Sequence, residues 1–189
     1  MRKLEDFPDA HLRVFDRSPV PAANEINDVY LIGICGTGMG SLAGLFHEAG
    51  YNVRGSDAAT WPPMSLRLEA MKIPVSEGFS QTNLQPQPDL VIVGNACTPT
   101  HPEAAHVREH GWAQQSLPEA VSHFFIRDRR SLVVAGTHGK TTTSALMAHL
   151  FRSAGKEPGF LVGGVMNNGD VSYSVGIGQH FIIEGDEYD

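Results

Sequence analysis

Residues 131–150 read SLVVAGTHGKTTTSALMAHL: an apolar run, a tight glycine turn ending in Gly-Lys-Thr, and a segment of helical character. This order predicts a strand, a phosphate-binding turn and a helix, because the turn can aim backbone N–H groups at an anion beside the positive end of the helix. The usual signature, G-x-x-x-x-G-K-[ST], begins with a glycine where this chain has Val134. The sequence therefore predicts a shortened phosphate loop, which argues against an ordinary motor ATPase or GTPase.

The turn contains the residue types that bind a nucleoside triphosphate. Gly136 and Gly139 would let the backbone curl around phosphate, Lys140 would lie along the β- and γ-phosphates, and Thr141 would offer its hydroxyl to Mg²⁺. A structural strand–turn–helix junction with a chance Gly-Lys-Thr is the alternative. The predicted ATP-binding set is Gly136, Thr137, His138, Gly139, Lys140, Thr141 and Thr142.

Acidic residues follow a second apolar run in the segment HFIIEGDEYD, residues 180–189, which offers Glu184, Asp186 and Glu187. Carboxylates suit Mg²⁺, a hard cation that prefers oxygen ligands. Such a cluster alone is typical of a solvated turn, but a phosphate loop in the same domain favours a metal site. We predict Thr141 and Glu184 as metal ligands, and Lys140, Thr141 and Glu184 as the catalytic residues.

A second glycine loop lies about a hundred residues upstream, in VYLIGICGTGMG, residues 29–40. The apolar run predicts a strand buried on both faces of a parallel sheet. Gly33-x-x-Gly36-x-Gly38 is a permuted relative of the Rossmann fingerprint, and Ser56-Asp57 end the next predicted strand, where that fold places its ribose-contacting acid. The pattern predicts a second phosphorylated ligand; a purely structural turn is the alternative.

Strand and helix patterns alternate along the chain from Val29, which predicts βαβ units. The predicted fold class is α/β, with a Rossmann-like parallel-sheet domain followed by the start of a P-loop α/β ATP-binding domain. The predicted boundaries are a loose N-terminal extension over residues 1–27, the first domain over 28–127 and a truncated second domain over 128–189.

The composition of the 189 residues, 41% hydrophobic and 19% charged, is that of an ordinary soluble globular protein. A net charge of −7 with no basic run argues against nucleic-acid binding. No apolar run reaches membrane length, and the first 28 residues lack the apolar core of a signal peptide. Two cysteines make no disulfide framework, so we expect a reduced cytoplasmic protein.

The pentapeptide HVREH, residues 106–110, matches the H-x-x-E-H pattern of inverted zinc peptidases. A zinc site of that kind needs a further carboxylate ligand and must face a cleft. The pentapeptide lies in a short polar helical segment of the first domain. We interpret it as a solvated outer face rather than a zinc site.

The motifs GICGTGMG, GSD, AGTHGKTTT and EGDEYD, in this order, resemble those of the Mur ligases, ATP-dependent amide-forming enzymes of peptidoglycan assembly. The resemblance runs from about Val29 to Asp189. The family's phosphate loop has the short form G-T-x-G-K-T, which accounts for Val134. Its members pair a Rossmann-like domain for the UDP-sugar with a central domain for ATP, so the resemblance implies ATP and Mg²⁺ as cofactors and one ligand for each glycine loop.

The resemblance also implies which residues contact the sugar nucleotide. Backbone groups of the first glycine loop would bind the UDP diphosphate, and residues after the neighbouring strands would contact the nucleoside and sugar. The expected UDP-sugar-binding set is Gly36, Thr37, Gly38, Met39, Ser56, Asp57, Asn95 and Thr98.

Within the family, the histidine before Gly-Lys, here His138, resembles the sequence of the branch that acts on UDP-N-acetylmuramic acid. That branch adds either L-alanine in de novo synthesis or the tripeptide L-Ala-γ-D-Glu-meso-diaminopimelate in recycling. GICGTGMG, WPPMS, IVGNA, PGFLVGG and DEYD are similar to the tripeptide-adding members, while Trp61 and His101 depart from them.

The implied reaction converts the lactyl carboxylate of the sugar into an acyl phosphate, which the amine of the acceptor then attacks. The family's acceptor-binding C-terminal domain is absent, so we expect the present chain alone not to turn over. Two other classes stay open from the residues alone: a nicotinamide oxidoreductase using the first loop, and a nucleotide-binding regulatory module.

Overall fold

The computed structural model describes residues 18–95, 97–98, 100–163 and 172–185. These residues form two sheets with helices packed against them, and the predicted α/β class with a parallel first sheet is confirmed. None of the helices in these ranges combines the length and the apolar composition that a bilayer-spanning segment needs.

The first sheet is built around a strand that is buried on both faces. Its elements are β1 (Asp28–Ile32), α1 (Thr37–Glu48), β2 (Asn52–Asp57), α2 (Met64–Ala70), β3 (Val75–Glu77), a 3₁₀ turn (Gln81–Leu84), β4 (Leu90–Val93), α3 (Pro102–Glu109), β5 (Gln114–Ser116), α4 (Leu117–Ala120) and a π turn (Val121–Ile126). The strands pair in the order β3-β2-β1-β4-β5, all in parallel.

Alternating side chains of β1 enter two separate apolar cores. Val29 and Leu31 pack into the larger core beneath α1, whereas Tyr30 and Ile32 pack into the smaller one beneath α3. Successive strand residues point to opposite faces of a sheet, so this strand must be apolar throughout. Burial of both faces of β1 is the reason why its sequence is a continuous apolar run.

The second sheet contains β6 (Arg130–Ala135), α5 (Lys140–Ser153), β7 (Gly159–Leu161), β8 (Tyr173–Ser174) and β9 (His180–Gly185). Its order is β6-β9-β7-β8, with β8 antiparallel to β7 and the other pairs parallel. In the β6–β9 pair, Val134 lies opposite Glu184. The glycine turn after β6 and the acidic end of β9 therefore leave the sheet at the same edge.

Helix α1 joins the two sheets through one of its flanks. A Cβ atom added to Gly44 would lie 2.2 Å from the ring of Tyr173, so only glycine leaves room for that ring. The hydroxyls of Ser41 and Ser172 lie 2.9 Å apart in a buried contact. One turn further on, Glu48 accepts a hydrogen bond from the backbone N–H of Val175 at 3.1 Å. The two sheets are thus fixed against each other by residues at helical spacing.

Residues 18–27 correct part of the predicted loose extension. Ile26 is buried in the larger core, and the backbone N–H of Asn27 donates to Asp89 at 2.8 Å. Ser18 also donates through its hydroxyl to the carbonyl of Gly111. Val20 and Ala23 also pack against this core, so apolar side chains hold a segment whose sequence is largely polar and proline-rich. Residues 1–17 lie outside the described residues.

Candidate functional site

A cleft of about 950 Å³ opens where the carboxyl ends of the first-sheet strands face the ends of β7 and β9. Open parallel sheets bind their ligands at the carboxyl ends of the strands. The cleft is lined by Ile32, Gly33, Cys35, Gly36, Thr37, Gly38, Met39, Asp57, Ala58, Ala59, Trp61, Phe79, Gly94, Asn95, Cys97, His101, Leu117, Pro118, Leu161, Val162, Gly163, Ile183, Glu184 and Gly185.

The first glycine loop is held in place from strand β2. The backbone N–H groups of Gly33 and Ile34 both donate to the carbonyl of Ser56, at 2.8 and 3.0 Å. Gly33 has φ +82°, which favours glycine, and Gly36 directly precedes α1. The loop therefore turns sharply and presents the start of a twelve-residue helix to the cleft, a position suited to a diphosphate.

Asp57 uses both of its carboxylate oxygens to brace this loop. Oδ2 accepts from the backbone N–H of Cys35 and Oδ1 from that of Ala58, each at 2.8 Å. In a dinucleotide-binding fold, the corresponding acid accepts from a ribose hydroxyl. Each carboxylate oxygen can accept a second hydrogen bond, so Asp57 braces the loop and can still face a ligand in the cleft that it lines.

Most of the expected sugar-nucleotide residues come together in the cleft: Gly36, Thr37, Gly38, Met39, Asp57 and Asn95. Two expected residues do not line it. Ser56 is fully buried, and Thr98 is exposed, with its hydroxyl 3.3 Å from that of Thr100. Full burial of Ser56 corrects the expectation that it faces the ligand, whereas the ligand role of the exposed Thr98 stays a prediction.

Ser56 belongs to a buried network centred on Glu103, which is itself fully buried. The Ser56 hydroxyl donates to Glu103, which also accepts from Asn83 Nδ2 at 2.9 Å and from the Ser80 N–H at 3.0 Å. The Tyr30 hydroxyl adds a longer contact of 3.3 Å. A buried carboxylate is tolerated when donors surround it. The network joins β1, β2 and α3 behind the cleft.

The second glycine loop has the backbone that phosphate binding requires. Gly136 and Gly139 have φ values of +145° and +79°, and α5 begins at Lys140 directly after the turn. Lys140 Nζ donates to the carbonyl of Gly136 at 2.8 Å, so its ammonium group lies over the loop. The rest of the predicted ATP-binding set, Thr137, His138, Thr141 and Thr142, is exposed beside it.

Thr141 and Glu184 meet across the second sheet. Thr141 Oγ1 donates to Glu184 Oε2 at 3.4 Å, while Glu184 Oε1 is buried and has no hydrogen-bond partner among the described residues. An unpartnered buried carboxylate oxygen beside a hydroxyl fits a Mg²⁺ ligand pair, since Mg²⁺ takes one or two protein oxygens and fills its shell with phosphate oxygens and water. Asp186 and Glu187 lie outside the described residues.

Elsewhere in the described ranges no three His, Cys, Asp or Glu side chains form a group that could hold a metal. His106 and His110 of the HVREH segment stack on each other with centroids 3.9 Å apart, and His110 is exposed. This placement agrees with the interpretation of the segment as an outer face.

The sequence did not single out several walls of the cleft as ligand contacts. Phe79 and His101 form one of these walls, with ring centroids 4.3 Å apart. Leu117 borders the glycine loop, where a Cβ on Gly38 would lie 3.3 Å from it. Trp61 stands at the cleft mouth. Trp61 and His101 were noticeable only as departures from the family pattern, and Phe79 and Leu117 carry no local signal.

The two cysteines and His101 beside the first loop are neutral at physiological pH. Burial raises the pKa of Cys97 to about 11, and burial followed by the charge of Asp57 raises the pKa of Cys35. Burial lowers the pKa of His101 below its ordinary value. The cysteines are therefore thiols rather than thiolates and contribute as small apolar walls.

A sequence profile described as "Mur ligase family, catalytic domain" matches residues 28–129, more than half of the chain. The chain belongs to the Mur ligase family. This Mur ligase is 46% identical over 161 residues to the UDP-N-acetylmuramate–L-alanyl-gamma-D-glutamyl-meso-2,6-diaminoheptandioate ligase of Escherichia coli K12, covering 85% of the chain and 35% of that relative. The protein of the same name from Haemophilus influenzae is 42% identical, with coverages of 85% and 36%. The chain thus spans about a third of the length of these curated relatives.

Solved structures agree with the sequence relatives. This Mur ligase matches the UDP-N-acetylmuramate:L-alanyl-gamma-D-glutamyl-meso-diaminopimelate ligase from Neisseria meningitides with a TM-score of 0.80 and 38% identity, covering 87% of the chain and 54% of that structure. A murein peptide ligase from Psychrobacter arcticus gives 0.79 and 38%, with coverages of 86% and 38%. A UDP-N-acetylmuramate-alanine ligase from Thermotoga maritima gives 0.74 and 28%, with coverages of 83% and 37%.

Proposed function

We propose that this Mur ligase joins UDP-N-acetylmuramic acid to the tripeptide L-Ala-γ-D-Glu-meso-diaminopimelate at the expense of ATP, with Mg²⁺ as cofactor. Residues 28–127 are the UDP-sugar-binding domain in this proposal, and residues 128–189 begin the ATP-binding domain. ATP and nucleotide sugars are cytoplasmic metabolites, so we place the reaction in the cytoplasm.

The proposal is supported by two phosphate-type glycine loops on two sheets that helix α1 connects. The first loop faces the cleft, and the second lies beside Glu184, which lines the same cleft. A nucleotide sugar on the first loop would extend toward the end of β9, where the γ-phosphate of ATP would lie.

The sugar's carboxylate must be activated before it can form an amide, because an amine cannot displace oxide from it. A carboxylate oxygen attacks the γ-phosphorus of ATP, the bond to the β-phosphate oxygen breaks, and ADP leaves. Lys140 would stabilise the negative charge on the transferring group. Thr141 and Glu184 would hold Mg²⁺, which supplies charge neutralisation on the phosphates when bound.

The acyl phosphate then reacts with the amine of the acceptor. The nitrogen forms the amide bond to the carbonyl carbon, phosphate departs with the electrons of the C–O bond, and the amine loses a proton. The residues assigned above would serve the sugar and the phosphates, and this proposal assigns none of the described residues to the acceptor.

L-Alanine is the second candidate acceptor. The tripeptide is favoured because the relatives whose names include that peptide are 38–46% identical to this chain, whereas the alanine ligase structure is 28% identical. An oxidoreductase is disfavoured by the second loop with Lys140, which a dehydrogenase does not need.

Two experiments test the proposal. The full-length protein is assayed for phosphate release with UDP-N-acetylmuramic acid, ATP and either acceptor; we expect turnover with the tripeptide and little with L-alanine. Efficient turnover with L-alanine alone would replace the first proposal by the second. Separately, calorimetric titration of the 189-residue chain with UDP-N-acetylmuramic acid should give a saturable heat, and its absence at millimolar ligand would contradict the sugar-binding assignment.

A further inference from the structure

Trp61 combines exposure with a place in the cleft. Its side chain is 74% exposed and lines the cleft mouth. Leaving so large an apolar surface in water forgoes the free energy that burial would provide. The other tryptophan, Trp112, instead packs edge-on against His106, with ring centroids 5.2 Å apart. Of the two tryptophans, Trp61 is the one whose ring is left exposed, and it lies at the cleft.

The backbone of Trp61 is fixed although its ring is exposed. Its carbonyl accepts a hydrogen bond from the N–H of Ser65 at 3.2 Å, at the beginning of α2. Met64 is buried there and occupies the space above Gly40, where an added Cβ would lie 2.2 Å from its sulfur. The indole is thus carried by a segment that is anchored on α1, the helix that follows the first glycine loop.

The position of Trp61 along the sheet indicates which part of a nucleotide sugar would reach it. Trp61 follows β2 and comes after Asp57, and the end of β2 is where folds of this kind place the nucleoside of a bound nucleotide. Of the three residues between them, the two that line the cleft, Ala58 and Ala59, are small and leave it open at this point. A diphosphate on the glycine loop would therefore direct its nucleoside toward the indole.

We propose that the indole of Trp61 is the stacking platform for the nucleobase of the UDP-sugar, a step that rests on the function proposed above. The base covers the exposed face of the ring, and the bound ligand supplies the aromatic partner. Stacking is contact between the flat faces of the base and the indole. Trp61 therefore contributes affinity at the nucleoside end without touching the reacting carboxylate.

Tryptophan fluorescence tests the contact directly, because the chain contains two tryptophans and each can be removed separately. In Trp112→Phe the only emission comes from Trp61, and we expect UDP to change it saturably. In Trp61→Phe the emission of Trp112 should not respond to UDP. A response that is the same in both variants would overturn the proposal.

Fragments of the ligand identify the group that lies on the ring. Inorganic pyrophosphate should compete with UDP yet leave Trp61 emission unchanged. N-Acetylglucosamine 1-phosphate should also leave it unchanged. Quenching by the amino-sugar phosphate but not by UDP would place the sugar rather than the base on the indole and overturn the assignment.

Calorimetry of the variants separates this proposal from the function on which it rests. Trp61→Ala should weaken UDP binding about ten- to hundred-fold, the range that loss of one base–aromatic stack gives, and Trp61→Phe should restore most of it. Wild-type affinity in Trp61→Ala would overturn the stacking role alone. If the unmodified chain bound neither UDP nor UDP-N-acetylmuramic acid, both proposals would fall together.

Discussion

Thr141 Oγ1 lies 3.4 Å from Glu184 Oε2, which links the first turn of α5 to the end of β9. The two residues are 43 positions apart in sequence, and the parallel pairing of β6 with β9 brings them together. The second carboxylate oxygen has no partner among the described residues. A hydroxyl and an available carboxylate oxygen therefore stand at the same edge of the sheet as the phosphate loop.

Glu184→Gln in the full-length protein should raise the Mg²⁺ concentration needed for half-maximal turnover at least about tenfold, because an amide oxygen binds a hard cation less strongly than a carboxylate. The measurement is phosphate release against Mg²⁺ at fixed ATP. Glu157→Gln, an exposed carboxylate near the second sheet, is the matched control. An unchanged Mg²⁺ requirement in Glu184→Gln would rule out the proposed ligand.

Lys140→Ala should reduce turnover of the full-length enzyme by roughly 10²–10³-fold, the loss typical of removing one charge-stabilising donor from a transition state. The Nζ atom already lies over the loop, 2.8 Å from the Gly136 carbonyl. Initial rates at saturating ATP provide the measurement. Lys156→Ala changes an exposed lysine just beyond α5 and should keep wild-type rates. Normal rates in Lys140→Ala would exclude the assigned role.

Gly44→Ala should lower the free energy of unfolding by about 1–3 kcal/mol, because the added methyl group meets the ring of Tyr173 at 2.2 Å. Urea denaturation of the 189-residue chain measures this loss. In a Tyr173→Ala background the same change should be neutral or stabilising, since alanine is the better helix former. Equal losses in both backgrounds would show that the ring is not the cause.

Glu103→Gln should destabilise the chain by about 1–3 kcal/mol, since the amide nitrogen would face donors that now point at a carboxylate. Thermal unfolding gives the comparison with the wild type. Glu109→Gln changes an exposed residue of the same helix and should have little effect. If the two variants unfolded alike, the buried network would not contribute to stability.

His101→Asn should weaken the loss of stability at acid pH. Burial lowers the pKa of His101, so the unfolded chain binds a proton more readily below the ordinary value of 6.5 and stability falls as the pH drops through that value. Asparagine keeps an oxygen for capping the Ala104 N–H but does not titrate. Unfolding between about pH 5.5 and 7.5 measures the slope, which should be shallower in His101→Asn. A slope in His101→Asn that equals that of the wild type would contradict this contribution.

The sequence predicted best the features that depend on local chemistry. Gly36 directly precedes α1 and Lys140 begins α5, each a few residues after a strand, so both patterns are complete within a short stretch of sequence. Glu184 could be paired with the phosphate loop because parallel strands place their carboxyl ends together. The burial of Ser56 could not be predicted in this way, since it depends on Glu103, 47 positions away in sequence.

The side chains that line the cleft could not be predicted from local sequence patterns either. Phe79 and His101 come together only because the connections after β3 and β4 fold over the same face of the sheet. Most of the chain separates Tyr173 from Gly44. The sequence around Gly44 does not indicate that the Tyr173 ring packs there and requires a glycine. Such contacts arise from packing between elements, which no single window of sequence contains.

Helix α1 has a mechanical consequence for the whole enzyme. Its first residues border the proposed diphosphate seat, and its flank at Ser41, Gly44 and Glu48 carries the second sheet. This helix would therefore set the distance between the two ligands of the proposed function, the sugar nucleotide and ATP. Within the described residues, a motion that changed this distance would have to move α1 as one body or break its contacts with the second sheet.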